Sequence, residues 1–221
     1  MRTLTAASST LLFPTLASLW MSLLSPLPAQ DAPASSADGY EGKPFNGTPM
    51  MIPGTLIGID YDLAPNDQPG ITFNYGGKYG KSPFRPGTDA MGIGGFDKSH
   101  LTTDGTPMPL EGGYLGWTQN QEWAKYTVQV TETATYRVGG QFAAGGNGSR
   151  ISLAFTPTLA TGPLAIPTTA GFQPGVEVYH VWEKLDNLKE ITLPAGTYIL
   201  TLTIENADGL NIDNLTFTRK P

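Results

Sequence analysis

The sequence predicts an all-β protein, a β-sandwich of two antiparallel sheets. The chain has 27 Gly and 19 Pro among 221 residues, and these interrupt every long window in which an amphipathic helix would form. Between the interruptions, short stretches alternate apolar and polar residues with the period of a strand that buries one face. Because no crossover helices are available to cover a parallel sheet, the strands are expected to pair antiparallel in two packed layers.

Four stretches show the alternation most clearly and follow one another along the chain. Their inward-facing residues are Tyr126, Val128 and Val130, then Tyr136 and Val138, then Ile151, Leu153 and Phe155, and finally Tyr198, Leu200, Leu202 and Ile204. Turn-forming residues at 131–134, 194–196 and 206–209 separate strands from one another. There is no internal repeat, so a single folded domain is predicted.

The N-terminus resembles a secretory signal. Residues 1–29 have a short basic start, an apolar middle and a small residue, Ala29, at the expected cleavage point. A membrane anchor is the alternative, and Pro14 makes the segment a poor spanning helix. After removal of the signal, 30–42 is expected to be a flexible leader and 43–221 the folded domain, in a secreted or periplasmic protein.

Composition excludes several functions. Without Cys, the chain has neither thiol catalysis nor cysteine-bound zinc, and His100 and His180 are too far apart in sequence to suggest a zinc site. The net charge of -6 disfavours nucleic acids and anionic membranes, because no basic patch is present to replace counterions. A monomer that binds a neutral or weakly charged ligand, with no membrane contact in its mature form, is expected.

The three Trp residues after the signal segment have different contexts. Trp123 and Trp182 are expected in the core or in a sheet. Trp117 lies in a glycine-flanked loop directly before a predicted strand, which indicates an exposed side chain. A large exposed aromatic ring in a loop of an all-β scaffold is what a sugar-binding site requires.

Four segments, in order, resemble the family 6 carbohydrate-binding modules. Residues 47–62 are similar to the family's opening GTP and IPGT motif, and 70–93 to its central segments. Residues 116–128 carry its GWT, EW and YTV elements, and 210–217 its closing NID. The resemblance covers the whole predicted domain. It implies a lectin-like jelly-roll sandwich that binds a polysaccharide or oligosaccharide and performs no chemistry.

The resemblance also implies a set of ligand-binding residues. Trp117 matches the first aromatic platform, and Asn211 matches the Asn that hydrogen-bonds sugar hydroxyls. The second platform falls on Phe172, where the family has Trp, or on Tyr179 in the insertion that follows. Because polar side chains are needed to bind sugar hydroxyls, Glu122, Arg85 and Asp89 are further possible contacts. The alternative for Glu122 is a structural role as an acceptor for loop N–H groups.

The same family commonly holds a structural calcium ion near its opening strand. Its two Glu ligands fall on Ile57 and Ile59 here, and aliphatic side chains supply no oxygen ligand. The usual calcium site is therefore expected to be absent, with Ile57 and Ile59 packing hydrophobically instead, and the protein is expected to have no cofactor. A shifted site that uses Asp60, Asp62 or Asp213 stays an alternative.

Two other classes of function remain open from the sequence. A small glycoside hydrolase or lyase would need paired carboxylates, for which Glu111, Glu122, Asp60 and Asp213 are candidates, although their spacing does not bring them together. A structural or adhesive extracellular protein would instead expose a continuous apolar patch.

Overall fold

The computed structural model describes residues 39–77, 80–96, 99–109, 112–171 and 175–221, and the regular secondary structure of this part of the chain is almost entirely β-strand. The strands are β1 Met50–Ile52, β2 Gly54–Ile57, β3 Phe73–Asn74, β4 Gly80–Ser82, β5 Arg85–Ala90, β6 Ile93–Gly95, β7 Leu101–Thr102, β8 Gly113–Leu115, β9 Trp123–Val130, β10 Ala134–Ala144, β11 Arg150–Thr156, β12 Leu159–Ala160, β13 Leu164–Ala165, β14 Val181–Leu193, β15 Gly196–Asn206 and β16 Leu210–Arg219. Single 3-10 turns occur at Pro65–Asp67 and Val178–His180. No helix in these ranges is long and apolar enough to cross a membrane.

The strands form two large sheets, which confirms the predicted all-β sandwich. The first sheet has the order β1-β9-β15-β11-β12, with β3 and β13 at its margins. The second has the order β6-β8-β16-β10-β14-β7, with β2 paired to β16, and β4 and β5 make a separate hairpin. The central pairs are antiparallel as expected. Two edge pairs, β1 with β9 and β7 with β14, are parallel.

The predicted alternation coincides with burial. Along β9 every second residue is buried, and Tyr126, Val128 and Val130 are among those that face the opposite sheet. Phe155 of the first sheet meets Phe217 of the second edge to face, at 5.9 Å between ring centroids. Each such buried side chain contributes about 1.5–3 kcal/mol relative to an exposed one, so the inter-sheet layer supplies most of the driving force for folding.

Trp123, which was expected in the core or the sheet, is the first residue of strand β9. Trp123 lies in the sheet but on the face opposite to the buried residues, and it is only half-buried. The Nζ atom of Lys125 lies 4.8 Å from the centre of its ring. Trp182, by contrast, is completely buried, and Trp117 is exposed, which confirms the expected difference between these two indoles.

Contacts with the domain begin within the range predicted as a leader. The Tyr40 hydroxyl donates a hydrogen bond to Oδ2 of Asp62 at 3.0 Å. The same carboxylate accepts bonds from the backbone N–H and the hydroxyl of Thr127, in β9, at 2.9 and 2.6 Å. Asp62 therefore ties the segment before β1 to the first sheet. Residues 1–29, predicted to be a signal, lie outside the described residues.

Candidate functional site

A cleft of about 380 Å³ lies where β8 ends and β16 begins. Tyr114 of β8 and Leu210 and Asn211 of β16 contribute to its lining. Two loops supply the rest: Trp117 and Thr118 come from the β8–β9 loop, and the segment 177–180 comes from the loop before β14. Residues almost a hundred positions apart in sequence thus meet at one rim of the sandwich.

Trp117 is the most exposed large apolar side chain of this cleft, with 67% of its surface accessible. Its backbone has φ of 51°, in the left-handed region that a bulky residue rarely adopts. Neighbouring bonds hold it there, because the Gly116 N–H donates to the Gly92 carbonyl at 2.9 Å and the Thr118 hydroxyl to the Leu210 carbonyl at 2.6 Å. Strained backbone under an exposed indole is the kind of outlier that marks functional sites.

Glu122 closes the same loop from the inside, and the structure gives it a different role from the predicted ligand contact. Its side chain is 1% exposed. Oε1 accepts the Gly76 N–H at 3.0 Å and Oε2 the Gln119 N–H at 2.9 Å. Burial raises the pKa of this carboxyl, and the two N–H donors partly offset the rise. Glu122 shapes the Trp117 loop and does not line the cleft.

Asn211 joins the two loops of the cleft. Its Nδ2 donates to the Tyr179 carbonyl at 2.7 Å, and its side chain is only 5% exposed. Its Oδ1 lies so close to Gly116 that an added Cβ there would come within 3.2 Å of it. Asn211 therefore holds the backbone of Tyr179 on one side and adjoins the residue before Trp117 on the other.

An aromatic cluster supports the wall of the cleft from behind. The buried Trp182 donates its Nε1–H to Nδ1 of His100 at 3.0 Å. Since an indole nitrogen only donates, this Nδ1 carries no proton. The His100 ring stacks on His180 at 3.8 Å between centroids, and His180 meets Tyr179 edge to face at 4.9 Å. Contiguous rings thus connect the core to the cleft-lining Tyr179.

Glu177 is the acidic residue of the cleft. Its side chain is 60% exposed, and Oε2 lies 3.8 Å from Nδ1 of His180. A hydrogen bond from Tyr179 to this carboxylate raises the pKa of the tyrosine. The Ser99 hydroxyl lies 3.0 Å from the same Nδ1 of His180. A catalytic triad needs the hydroxyl and the carboxylate on opposite ring nitrogens, and here both are at one.

Arg85 was expected as a polar ligand contact but is a buried core residue. It is 1% exposed, and Nη1 donates to the carbonyls of Ile59 and Tyr61, each at 2.7 Å. Its guanidinium carbon lies 3.8 Å from the centre of the Tyr61 ring and 4.3 Å from that of Phe45. The guanidinium fastens the segment after β2 and has no face toward the cleft.

Two other predicted contacts are not described. Phe172 lies outside the described residues. Asp89 belongs to β5, where its backbone pairs with Lys81, but its side chain is outside the described part of the structure.

The residues near the family's calcium position do not fit that ion. Ile57 pairs with Asn214 and is partly exposed, while Ile59 is buried in the core. Asp60 accepts a bond from Asn46 at 2.8 Å, Asp62 is used by Thr127 and Tyr40, and Asp213 accepts from Asn214 at 2.7 Å. In the described ranges, no three His, Asp or Glu side chains converge as metal ligands.

Sequence reasoning gave no ligand-binding role to Tyr114, Glu177 or His180, which also line the cleft. Tyr114 lies in a strand that is too short for an alternation of apolar and polar residues to show on which face its side chain lies. Glu177 lies in the insertion that was noted for Tyr179, and only its acidic character distinguished it. His180 was set aside with His100 because 80 positions separate them, although β7 and β14 pair in parallel and bring the two rings into contact.

Comparison with known proteins gives one family match. The model of the carbohydrate binding module (family 6) matches residues 94–219, more than half of the chain. No curated protein matched the chain. Among solved structures, the C-terminal family 6 module of a marine laminarinase from Zobellia galactanivorans is 21% identical, with 58% of this chain and 91% of that chain covered and a TM-score of 0.42.

Two further solved structures are similar to a comparable degree. The module of Cellvibrio mixtus lichenase 5A, in complex with cellotriose, is 15% identical, with 77% of this chain and 100% of that chain covered and a TM-score of 0.46. A β-1,3-glucan-binding module from Bacillus halodurans is 19% identical, with 57% and 84% covered and a TM-score of 0.43.

Proposed function

Because the chain belongs to carbohydrate-binding module family 6, we propose that it is a secreted, non-catalytic and monomeric module that binds a polysaccharide in the cleft between Trp117 and Tyr179. The observation that carries the proposal is the exposed indole of Trp117, held by strained backbone in a cleft that also contains a second exposed aromatic ring and a buried amide. A ring exposed at this cost in backbone strain is expected to have a ligand.

Trp117 suits a sugar for a physical reason. One face of a pyranose presents C–H groups, which pack on the electron-rich face of an aromatic ring and bury apolar surface. Tyr179, 40% exposed in the same cleft, is our proposed second platform. Its phenol ring is braced by His180 at 4.9 Å, so it loses little freedom when a sugar binds.

Polar groups of the cleft provide the selectivity that stacking lacks. A sugar hydroxyl left without a partner in a desolvated site costs about 1–3 kcal/mol. Asn211 uses its Nδ2 for the Tyr179 carbonyl, so we propose that Oδ1 is the part of this amide that accepts a sugar hydroxyl. Glu122 and Arg85 are not included in the proposed site, since both are buried and bonded to backbone groups.

The distribution of carboxylates supports a module without hydrolytic activity. Glycoside hydrolysis uses two carboxyl groups about 5–10 Å apart across the scissile bond. Of the described residues that line the cleft, only Glu177 carries a carboxylate. Asp60, Asp213 and Glu122 are bonded elsewhere, and Glu111 lies outside the described residues.

Affinity electrophoresis tests the proposal. The mature protein is run in native gels that contain laminarin, lichenan, galactan, xylan or agarose, beside Trp117→Ala and Tyr179→Ala. We expect retardation by at least one neutral polysaccharide, lost in Trp117→Ala and weakened in Tyr179→Ala. Trp123→Ala is the matched control, because it removes an indole from the face of the first sheet and not from the cleft.

Three results would contradict the proposal. They are the absence of retardation in every gel, retardation that survives Trp117→Ala but disappears in Trp123→Ala, and release of reducing sugar by the wild-type protein. Export is tested separately by N-terminal sequencing of the mature protein, which is expected to begin at Gln30. Size-exclusion chromatography tests the monomeric state.

A further inference from the structure

The described residues that line the cleft carry negative charge and no Lys or Arg to balance it. Among the described residues that line it, Glu177 is the only acidic side chain, and none is Lys or Arg. The net charge of the whole chain, -6, has the same sign. A ligand in the cleft is therefore exposed to a negative potential that no neighbouring cation of the described lining offsets.

Glu177 lies at the edge of the cleft, with its side chain 60% exposed. Its carboxylate lies 3.8 Å from Nδ1 of His180, the residue after our proposed second platform Tyr179. The His180 ring is itself fixed by its stack on buried His100 at 3.8 Å. The carboxylate thus lies in the same cleft as the ring on which a sugar would lie, beside a histidine whose position is fixed.

We propose that Glu177 is a specificity-determining residue that makes the cleft select uncharged glycans over those that carry uronate or sulfate groups. This inference rests on the proposed function of the same cleft. An acidic group on the bound sugar lies near a like charge and loses affinity, whereas a neutral hydroxyl can donate to the carboxylate.

The size of the effect follows from Coulomb's law. Two unit charges about 6 Å apart in a partly exposed site, with an effective dielectric constant of about 40, change the binding constant about tenfold. The effect decreases as salt rises, because the Debye length falls from about 30 Å at 0.01 M to about 3 Å at 1 M. Discrimination is therefore expected to be largest at low ionic strength.

The experiment compares three forms of one glycan by isothermal titration calorimetry. The hexose polysaccharide retained in the gels (laminarin, lichenan or galactan) is used as isolated, after oxidation of its C6 hydroxyls to carboxylates, and after conversion of these carboxylates to neutral amides. For a protein retained only by xylan, glucuronoxylan replaces the oxidised form. The amide has nearly the bulk of the carboxylate without its charge, so it separates charge from shape.

The wild-type protein is expected to bind the oxidised form about tenfold more weakly than the amide at 20 mM NaCl, and about equally at 1 M NaCl. Glu177→Gln removes the charge and nearly keeps the size of the side chain, and it should reduce the difference to less than twofold. Glu41→Gln makes the same charge change at an exposed residue outside the cleft lining and should leave the difference intact.

The inference is overturned if Glu177→Gln discriminates as strongly as the wild type, or if the wild type binds the carboxylate and amide forms equally at low salt. These outcomes leave the proposed function standing, since binding of the neutral polysaccharide and its loss in Trp117→Ala are measured independently. Absence of any binding by the wild type overturns both.

Discussion

Replacing Asn211 with Asp changes one chemical group in the cleft and tests how its two loops are held together. Asn211→Asp keeps the shape of the side chain and the oxygen beside Gly116. It replaces the Nδ2 group, which donates to the Tyr179 carbonyl at 2.7 Å, with a second acceptor. Two acceptors then face each other at hydrogen-bond distance, so the segment that carries Tyr179 must move away or the new carboxyl must keep a proton.

The magnitude can be worked from this contact. The lost hydrogen bond contributes about 0.5–1.5 kcal/mol, and leaving both acceptors without a donor in a largely buried position costs about 1–3 kcal/mol more. A total of about 1.5–4.5 kcal/mol at pH 7 is relieved when the Tyr179 segment detaches. If detachment removes the second platform, the Kd for the retained polysaccharide should rise roughly 10- to 100-fold.

Isothermal titration calorimetry measures the Kd, and thermal unfolding measures the accompanying loss of stability. Asn206→Asp is the matched control, because the Nδ2 of Asn206 also donates to a backbone carbonyl, that of Gly148, at 2.8 Å, and does so away from the cleft. It should lower the Tm by a similar amount and leave the Kd unchanged. A protonated Asp can donate, so the binding of Asn211→Asp relative to wild type should recover as the pH falls toward 4.

The reasoning is refuted if Asn211→Asp binds the polysaccharide as tightly as the wild type at pH 7. It is equally refuted if Asn206→Asp weakens binding as much, because the effect would then be a general loss of stability and not a change in the cleft.

Three further predictions concern the core and the metal. Arg85→Met should lower the free energy of unfolding by about 3 kcal/mol, since it leaves two backbone carbonyls without their donors. The Tm should fall by about 6–12 °C as a result. Calorimetry of the folded fraction should show an unchanged Kd, and a higher Kd would restore Arg85 to the site. Burial raises the pKa of Glu122, Asp60, Asp62 and Asp213 in the folded state. Between the ordinary carboxyl pKa values, about 4, and the raised ones, the folded protein therefore binds more protons than the unfolded chain. Stability should fall as pH rises through this window, and a Tm that increases from pH 4.5 to 7 would contradict the assignment. Addition of EDTA should leave both the Tm and the Kd unchanged, and a lower Tm would reveal a bound ion.

The fold was predictable because a strand that buries one face alternates apolar and polar residues along the sequence. Tyr126, Val128 and Val130 alternate with polar residues, and the structure buries them one after another. The same logic applies to β15, where Tyr198, Leu200 and Leu202 are buried. The parallel pairing of β1 with β9 could not be predicted in this way, since alternation shows on which face of the sheet a residue lies and not the direction of the neighbouring strand.

The side chains of the cleft were less predictable. Arg85 and Glu122 were named as possible polar contacts for sugar hydroxyls, but backbone carbonyls and N–H groups satisfy both of them in the interior. Whether a charged side chain is buried depends on partners far away in sequence: Ile59 and Tyr61 for the arginine, Gly76 for the glutamate. No local pattern encodes such partners.

The sequence by itself determined the all-β class, the inward faces of the main strands and the exposed position of Trp117, because each depends on residues within a few positions of one another. Only the tertiary structure decided which groups share the cleft with Trp117. Glu177 and Tyr179 come from the loop before β14 and Asn211 from the start of β16, and the sheet order that brings them together is set by pairing across the whole chain. The chemistry of the cleft depends on distances between chain segments that are far apart in sequence. A pattern of neighbouring residues in the sequence does not contain these distances.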